Sequence, residues 1–261
     1  MNNRFRTTFA AVCFLGALTG WSTAHAQGFS LSSYRTPPLP GDGLMLQGPG
    51  TLQSKQWSLG AQLDYANDPL VLELRRGTAA SENASIVSNQ LNGHLSLAYG
   101  AIDKLSVFGV MNVVMLEQGQ RSPMPGLAQR VRLADGPGLG DARIGARYRL
   151  LGGRSRDVFG LGLQAAVIAP LAELADKSQN FRGESSVAGD FAVLGAFDLR
   201  VLRLGATVGT RLRKEVEFLG ARLGHELTFG LGAAVPLMGD RLALLAEAQV
   251  NTSLNNPFKR S

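Results

Sequence analysis

The chain has 261 residues, 18% of them charged and 45% hydrophobic, with a net charge of +6 and 32 glycines. That many glycines argue against a helical protein, since each one inside a helix costs roughly 1 kcal/mol relative to alanine, and no Gly-X-Y period marks a collagen. The positive excess is too mild to imply nucleic acid as a partner, while the length suits one all-β unit.

At the N-terminus, Arg4 and Arg6 precede an apolar run from Phe9 to Leu18, and Ala24-His25-Ala26 supplies small residues at a cleavage site. This pattern predicts a secretory signal peptide over residues 1–26. The apolar run is about half the ~20 residues that a membrane-spanning helix needs. Cys13, the only cysteine, falls inside this leader, so the exported part would carry no disulfide and no lipid on cysteine. Residues 27–54 hold Pro37-Pro38, Pro40-Gly41 and Gly48-Pro49-Gly50 and read as an irregular lead-in.

From residue 55 to 253 the pattern changes to alternation with period two, the mark of strands with one apolar and one polar face. Trp57, Leu59, Ala61, Leu63 and Tyr65 alternate with Ser58, Gly60, Gln62 and Asp64. Leu91, Leu95, Leu97 and Tyr99 oppose Gln90, Asn92, His94 and Ser96; residues 104–117 are apolar on both faces. Ala142, Ile144, Ala146, Tyr148 and Leu150 oppose Asp141, Arg143, Arg147 and Arg149, and Phe159 to Val167 continues the theme. Residues 190–199 are again apolar on both faces, while 202–213, 226–235 and 242–251 alternate. The polar stub 254–261 ends the chain.

Connections alternate in length: short at 100–103, 152–154, 199–201 and 238–240, long at 118–137, 171–186 and 214–222. Brief turns at one end and extended loops at the other are the habit of outer-membrane barrels, and Greek-key sandwiches have no reason to produce it. The runs also reach the ~9–11 residues that a tilted membrane strand needs. The fold class predicted is therefore all-β, an antiparallel up-and-down transmembrane β-barrel. About nine strands are visible, an odd number where bacterial single-chain barrels have even ones. That count and the polar end predict an incomplete barrel, from a truncated product whose full-length relative adds roughly three strands.

Four stretches, PLPGDGLMLQGPGTLQSKQWSLGAQLDYANDPLVL (38–72), HLSLAYGAIDKLSVFG (94–109), GLGDARIGARYRLLG (138–152) and LGHELTFGLGAAVPL (223–237), resemble the N-terminal barrel of OmpA-family outer-membrane proteins of the myxobacterial type. The resemblance implies an integral outer-membrane protein. In that family, acidic calcium-binding repeats and a peptidoglycan-binding domain commonly follow the barrel. The sequence shows neither, so peptidoglycan is expected as a partner only where a further C-terminal domain exists.

Two residue sets are candidates for function. Trp57, Tyr99, Tyr148, Phe159 and Phe197 fall on the outward face at strand ends beside short turns, as an aromatic girdle would. Asp64, Asp141, Arg143, Arg147, Arg149, Arg203, Arg211, Arg213, Glu226 and Glu247, with Asp198, share the polar face and would line a lumen. Basic rings favour anions in pores. Interleaved opposite charges, with Gly145, Gly205, Gly209, Gly230 and Gly232 giving room to long arginines, instead favour a lumen plugged by ion pairs.

No enzyme is expected. His94 and His225 have no serine nucleophile at a fixed spacing, no zinc-ligand spacing occurs, and Gly160-Leu161-Gly162-Leu163-Gln164-Ala165 matches a dinucleotide pattern only inside a strand. No cofactor and no metal are predicted. Arg121, Arg130, Arg132, Lys177 and Arg182 sit in the long loops, read as solvated, with anionic lipopolysaccharide as the alternative contact. The expected function is thus a structural outer-membrane barrel, a passive small-solute pore, or both, with membrane lipid, lipopolysaccharide, periplasmic chaperones and the barrel-assembly machinery as partners. A secreted soluble β-rich adhesin is the second reading, and a barrel enzyme the third.

Overall fold

The computed structural model describes residue 30 and residues 34–74, 82–119, 136–152, 157–175, 181–199, 201–218, 221–237 and 242–254, with side chains for all but 71–74, 82–86, 217, 218, 221 and 222. In chain order the elements are β1 (Trp57–Leu74), β2 (Glu82–Ile102), β3 (Leu105–Gln118), β4 (Gly138–Gly152), β5 (Phe159–Ala169), helix α1 (Leu171–Ala175), β6 (Ala188–Asp198), β7 (Arg203–Leu212), β8 (Val216–Phe218), β9 (Ala221–Leu223), β10 (Glu226–Leu237) and β11 (Leu242–Ser253). The short β8 and β9 make a separate hairpin; the other nine form one antiparallel sheet, each strand paired with the next along the chain. This up-and-down sheet curls into a half-barrel. Among the described residues β1 and β11 each pair with a single strand, so both present an outer edge.

The period-two pattern sets which face is which. Along β2 the polar Gln90, Asn92, His94 and Ser96 are buried on the concave side, while Leu95, Leu97 and Tyr99 are exposed on the convex side. Arg143, Arg147 and Arg149 of β4 are buried where Ile144, Tyr148 and Leu150 are exposed. The molecule is thus polar within and apolar without, the inverse of a soluble core.

Two strands with apolar residues on both faces have a local cause. Phe108 and Val110 of β3 turn inward and pack with Leu39 and Leu52 of the segment preceding β1, together with Ala98 and Ala166. Leu194 of β6 is likewise fully buried, with Phe191, Val193 and Phe197 exposed on the other side.

The first hairpin is longer than its alternation suggests. Pairing of β1 with β2 continues past Tyr65 to Leu74 and Glu82, through register shifts between Asn67 and Leu70 and between Leu70 and Val71. Asp68 adopts a positive φ of 47° beside those shifts. The strand pairing alone extends the hairpin here, through Val71 opposite Ser85 and Leu74 opposite Glu82. Residues 171–175 and 216–223, expected as plain loop, form α1 and the β8–β9 hairpin.

Close packing of the wall makes one glycine critical. A Cβ at Gly145 would lie 2.5 Å from the Ala165 carbonyl oxygen, 2.6 Å from Ala166 Cβ and 2.7 Å from the Phe108 ring. At Gly109 on β3 nothing stands within 4 Å of such an atom. Gly145→Ala is therefore expected to lower the unfolding free energy by about 1–3 kcal/mol, the usual cost of overpacking. Gly109→Ala should leave it nearly unchanged, and urea denaturation of the two variants side by side checks the contrast.

Candidate functional site: a concave face filled by the N-terminal segment

Residues 34–56 enter the curl and occupy its concave side. They have no regular secondary structure, so their backbone groups must find partners elsewhere. Asp42 provides two of these, accepting from the amides of Leu39 at 3.1 Å and Gly48 at 2.8 Å. The same carboxylate takes both terminal nitrogens of Arg147, at 2.7 and 2.9 Å. Arg147 is 0% exposed and also donates to Gln164 Oε1 at 2.8 and 3.0 Å. A buried guanidinium in a forked contact with a carboxylate is among the strongest polar contacts in proteins.

Further attachments run along the segment. The Thr36 carbonyl accepts from Arg143, whose guanidinium also lies 5.8 Å from the Phe108 ring centre. Gln164 donates to the Gln47 side chain, and Thr207 donates to the Gln47 carbonyl at 3.1 Å. The Leu52 amide donates to Ser106 at 2.9 Å. On β11, Glu247 accepts the amides of Met45 at 2.6 Å and Leu46 at 3.3 Å.

Leu46 fits a socket of glycines. Added Cβ atoms at Gly230 and Gly232 would come within 2.7 and 2.8 Å of its methyl groups, and one at Gly205 would clash with it as well. Three of the inward glycines predicted to make room for arginine therefore make room for this leucine; Gly145 faces Phe108, and Gly209 lies close to the Phe191 carbonyl and Ala192. The arginines instead reach partners on the segment and the wall: Arg147 the Asp42 carboxylate, Arg143 the Thr36 carbonyl and Arg211 the Asp190 carboxylate. On the Arg143 side the segment packs closely, leaving a void of about 30 Å³. Toward the short turns a hollow of about 680 Å³ remains, walled by small residues such as Gly160, Ala196, Gly205 and Ala243.

Tyr34 ties the segment across the open side. Its hydroxyl lies 2.7 Å from the Leu44 carbonyl and 3.2 Å from Gln62 Oε1 on β1. The next amide, Met45, reaches Glu247 on β11, so this peptide unit and the Tyr34 side chain together bridge the two edge strands. Burial raises the Tyr34 pKa above that of an ordinary phenol, and the nearby Asp64 and Glu247 carboxylates raise it further.

The long-loop end is sealed by charge pairs. Arg35 meets Glu226 at 3.3 Å and Asp190 at 3.7 Å. Arg211 pairs with Asp190 at 3.0 Å and Glu184 at 3.5 Å. Arg213, just past β7, pairs with Glu184 at 3.1 Å and with Glu226. Asp141 accepts the Glu184 amide at 2.6 Å. Arg182 is a correction: expected on a solvated loop, it is buried, 2.7 Å from Glu117, because the residues around Phe181 fold inward over the wall. Arg121, Arg130, Arg132 and Lys177 lie outside the described residues.

Of the remaining predicted polar-face residues, Arg149 donates to the Asp103 carbonyl at 2.7 Å. Arg203 is half-exposed at the short-turn mouth, 3.0 Å from Asp198. Asp64 accepts from Asn92 at 3.1 Å and meets His94, which stacks edge-on against Tyr34 at 5.4 Å. The pairing of Asp64 with His94 escaped the sequence reading. Its signal is register: Gln62 lies opposite His94 and Asp64 opposite Asn92, so the two are diagonal neighbours on one face.

The five predicted girdle aromatics are all exposed on the convex face. Trp57 lies opposite Tyr99, and Phe159 opposite Phe197, all near the short turns. Tyr65, Phe191 and Phe229 are exposed nearer the long loops. No protein-family model matches this chain, and no curated protein matches it.

Proposed function

We propose that this chain is an integral outer-membrane β-barrel protein with a structural role, its convex face set in lipid and its concave face filled by its own N-terminal segment. One observation carries the reading: large apolar side chains cover the convex face of every strand from β1 to β11 in the main sheet, while arginines and carboxylates are buried on the other side. A soluble monomer rarely exposes an apolar patch beyond a few hundred Å², and hydrocarbon outside with polar groups inside suits a bilayer. Trp57 and Tyr65 stand eight residues apart on β1, ~27 Å along the strand, comparable with the ~25 Å apolar band of such proteins. The choice of the outer membrane is supported by the predicted leader and the OmpA resemblance.

In lipid the outer edges of β1 and β11 must also find partners. The two strands run in the same direction, since seven strands separate them in the sheet. Closure that keeps every pair antiparallel therefore takes an odd number of further strands.

Trp57, 69% exposed, reports directly on the environment. In the full chain carrying Trp21→Phe and reconstituted in phospholipid vesicles, its emission should be quenched by lipids brominated near the headgroup and shielded from aqueous acrylamide. The opposite pattern would support the secreted adhesin and remove the membrane reading.

A further inference from the structure

The segment that fills the concave face is held mainly by contacts between polar groups, and these converge on one ion pair. Asp42 and Arg147 are nearly solvent-free, at 2% and 0% side-chain exposure. Asp42 also organises the segment itself, through the Leu39 and Gly48 amides. One carboxylate thus both shapes the plug and fixes it to the wall. Beneath the plug lie Ala98, Phe108 and Val110, covered by Leu39 and Leu52, a patch that water would reach if the segment left. The Leu46 socket is a second anchor on the opposite wall, separate from the Asp42–Arg147 pair.

We propose that residues 34–56 form a releasable plug, latched by the Asp42 carboxylate on Arg147, and that losing this carboxylate releases the segment and opens the concave wall to water. The physical reason is asymmetric. With Asp42 in place the buried guanidinium is neutralised; without it, a charge is left inside a site from which water is excluded, and separating plug from wall is the cheapest way to hydrate it. Truncating Asp42 to alanine leaves room beside Arg147 for a small carboxylate from solution, such as acetate. The proposal rests on the membrane reading for its consequence, a closed lumen, but the latch itself can be tested without it.

The experiment uses the full chain with Cys13→Ser and Ala98→Cys, refolded into vesicles and exposed to a water-soluble maleimide. The thiol should be protected in this parent. Adding Asp42→Ala should accelerate labelling about tenfold or more, since modification of a buried group tracks its opening equilibrium. Sodium acetate, supplying the missing carboxylate, should restore protection, whereas sodium chloride at equal ionic strength should not. Gly232→Val, which fills the Leu46 socket and leaves the ion pair intact, provides a second route to release and should also accelerate labelling, without acetate rescue. Retained far-UV circular dichroism establishes that each variant is folded. A folded Asp42→Ala chain whose thiol stays as protected as the parent's overturns the plug, and so does a parent whose thiol labels at once. Loss of Trp57 quenching by brominated lipid, with labelling behaving as described, would sink the membrane reading and leave the latch standing.

Discussion

Replacing Arg147 by methionine should destabilise the protein by about 3–5 kcal/mol, the cost of removing one partner from a buried ion pair. The guanidinium contributes five contacts at once: two to Asp42, two to Gln164 Oε1 and one to the Gly50 carbonyl at 3.4 Å. Methionine fills similar volume, so little of the loss comes from a cavity. What remains is the Asp42 carboxylate, 2% exposed, with its charge uncompensated. A neutral partner should undo much of this. Asp42→Asn in the Arg147→Met background keeps an oxygen for the Leu39 or Gly48 amide and removes the buried charge. The double variant is therefore expected to recover about 2–4 kcal/mol of the single variant's loss, since breaking a buried pair costs far more than replacing it whole. Urea unfolding of the parent, both single variants and the double variant measures this coupling. A double variant that shows the simple sum of the single losses would mean that Asp42 and Arg147 do not act as a unit.

Alternation was legible because it is written residue by residue: Leu95, Leu97 and Tyr99 point one way and His94 and Ser96 the other wherever the sheet lies between two different environments. The neighbour order followed, since short turns such as that between Ile102 and Leu105 leave a strand little choice but to pair with its predecessor. The contents of the concave face were harder to read. Pro37-Pro38 and Gly48-Pro49-Gly50 announce an irregular segment, but irregularity does not encode where a segment lies. Nothing local links Asp42 to Arg147, separated by more than a hundred positions. A clue was present in Phe108 and Val110, apolar on a face otherwise polar; such residues require an apolar partner inside the curl, and Leu39 and Leu52 provide it. The inward glycines were read for their size but assigned to the wrong occupant, because a sequence gives the space at Gly205, Gly230 and Gly232 without saying that Leu46 comes to fill it. Arg182 was misread for a related reason: a charged loop residue is normally solvated, and the inward fold around it, with Glu117 as its partner, depends on contacts made across the curl.

With the convex face set in lipid, as proposed, Ile144→Arg should cost about 2–4 kcal/mol in phospholipid vesicles, the usual penalty for a cation on a lipid face near mid-membrane. Ile144 is 67% exposed on the convex face, between Gly109 of β3 and Val167 of β5. It lies four residues from Tyr148 along β4, ~14 Å of strand, which with the usual tilt of a barrel strand brings it close to the middle of a ~25 Å apolar band. In water the same change would be nearly silent: exposed substitutions away from special features fall within about 0.5 kcal/mol of zero, and arginine forms strands no worse than many polar residues. The surrounding medium therefore decides the sign and size of the effect, and the fold is not at issue. Leu174 on α1 provides the matched control. It is 73% exposed but belongs to the connection at the long-loop end, beyond the band, so Leu174→Arg should stay within about 0.5 kcal/mol. Denaturant unfolding of both variants in vesicles makes the comparison. A large loss at 144 with none at 174 requires hydrocarbon against the convex face; equal and negligible losses would require water there.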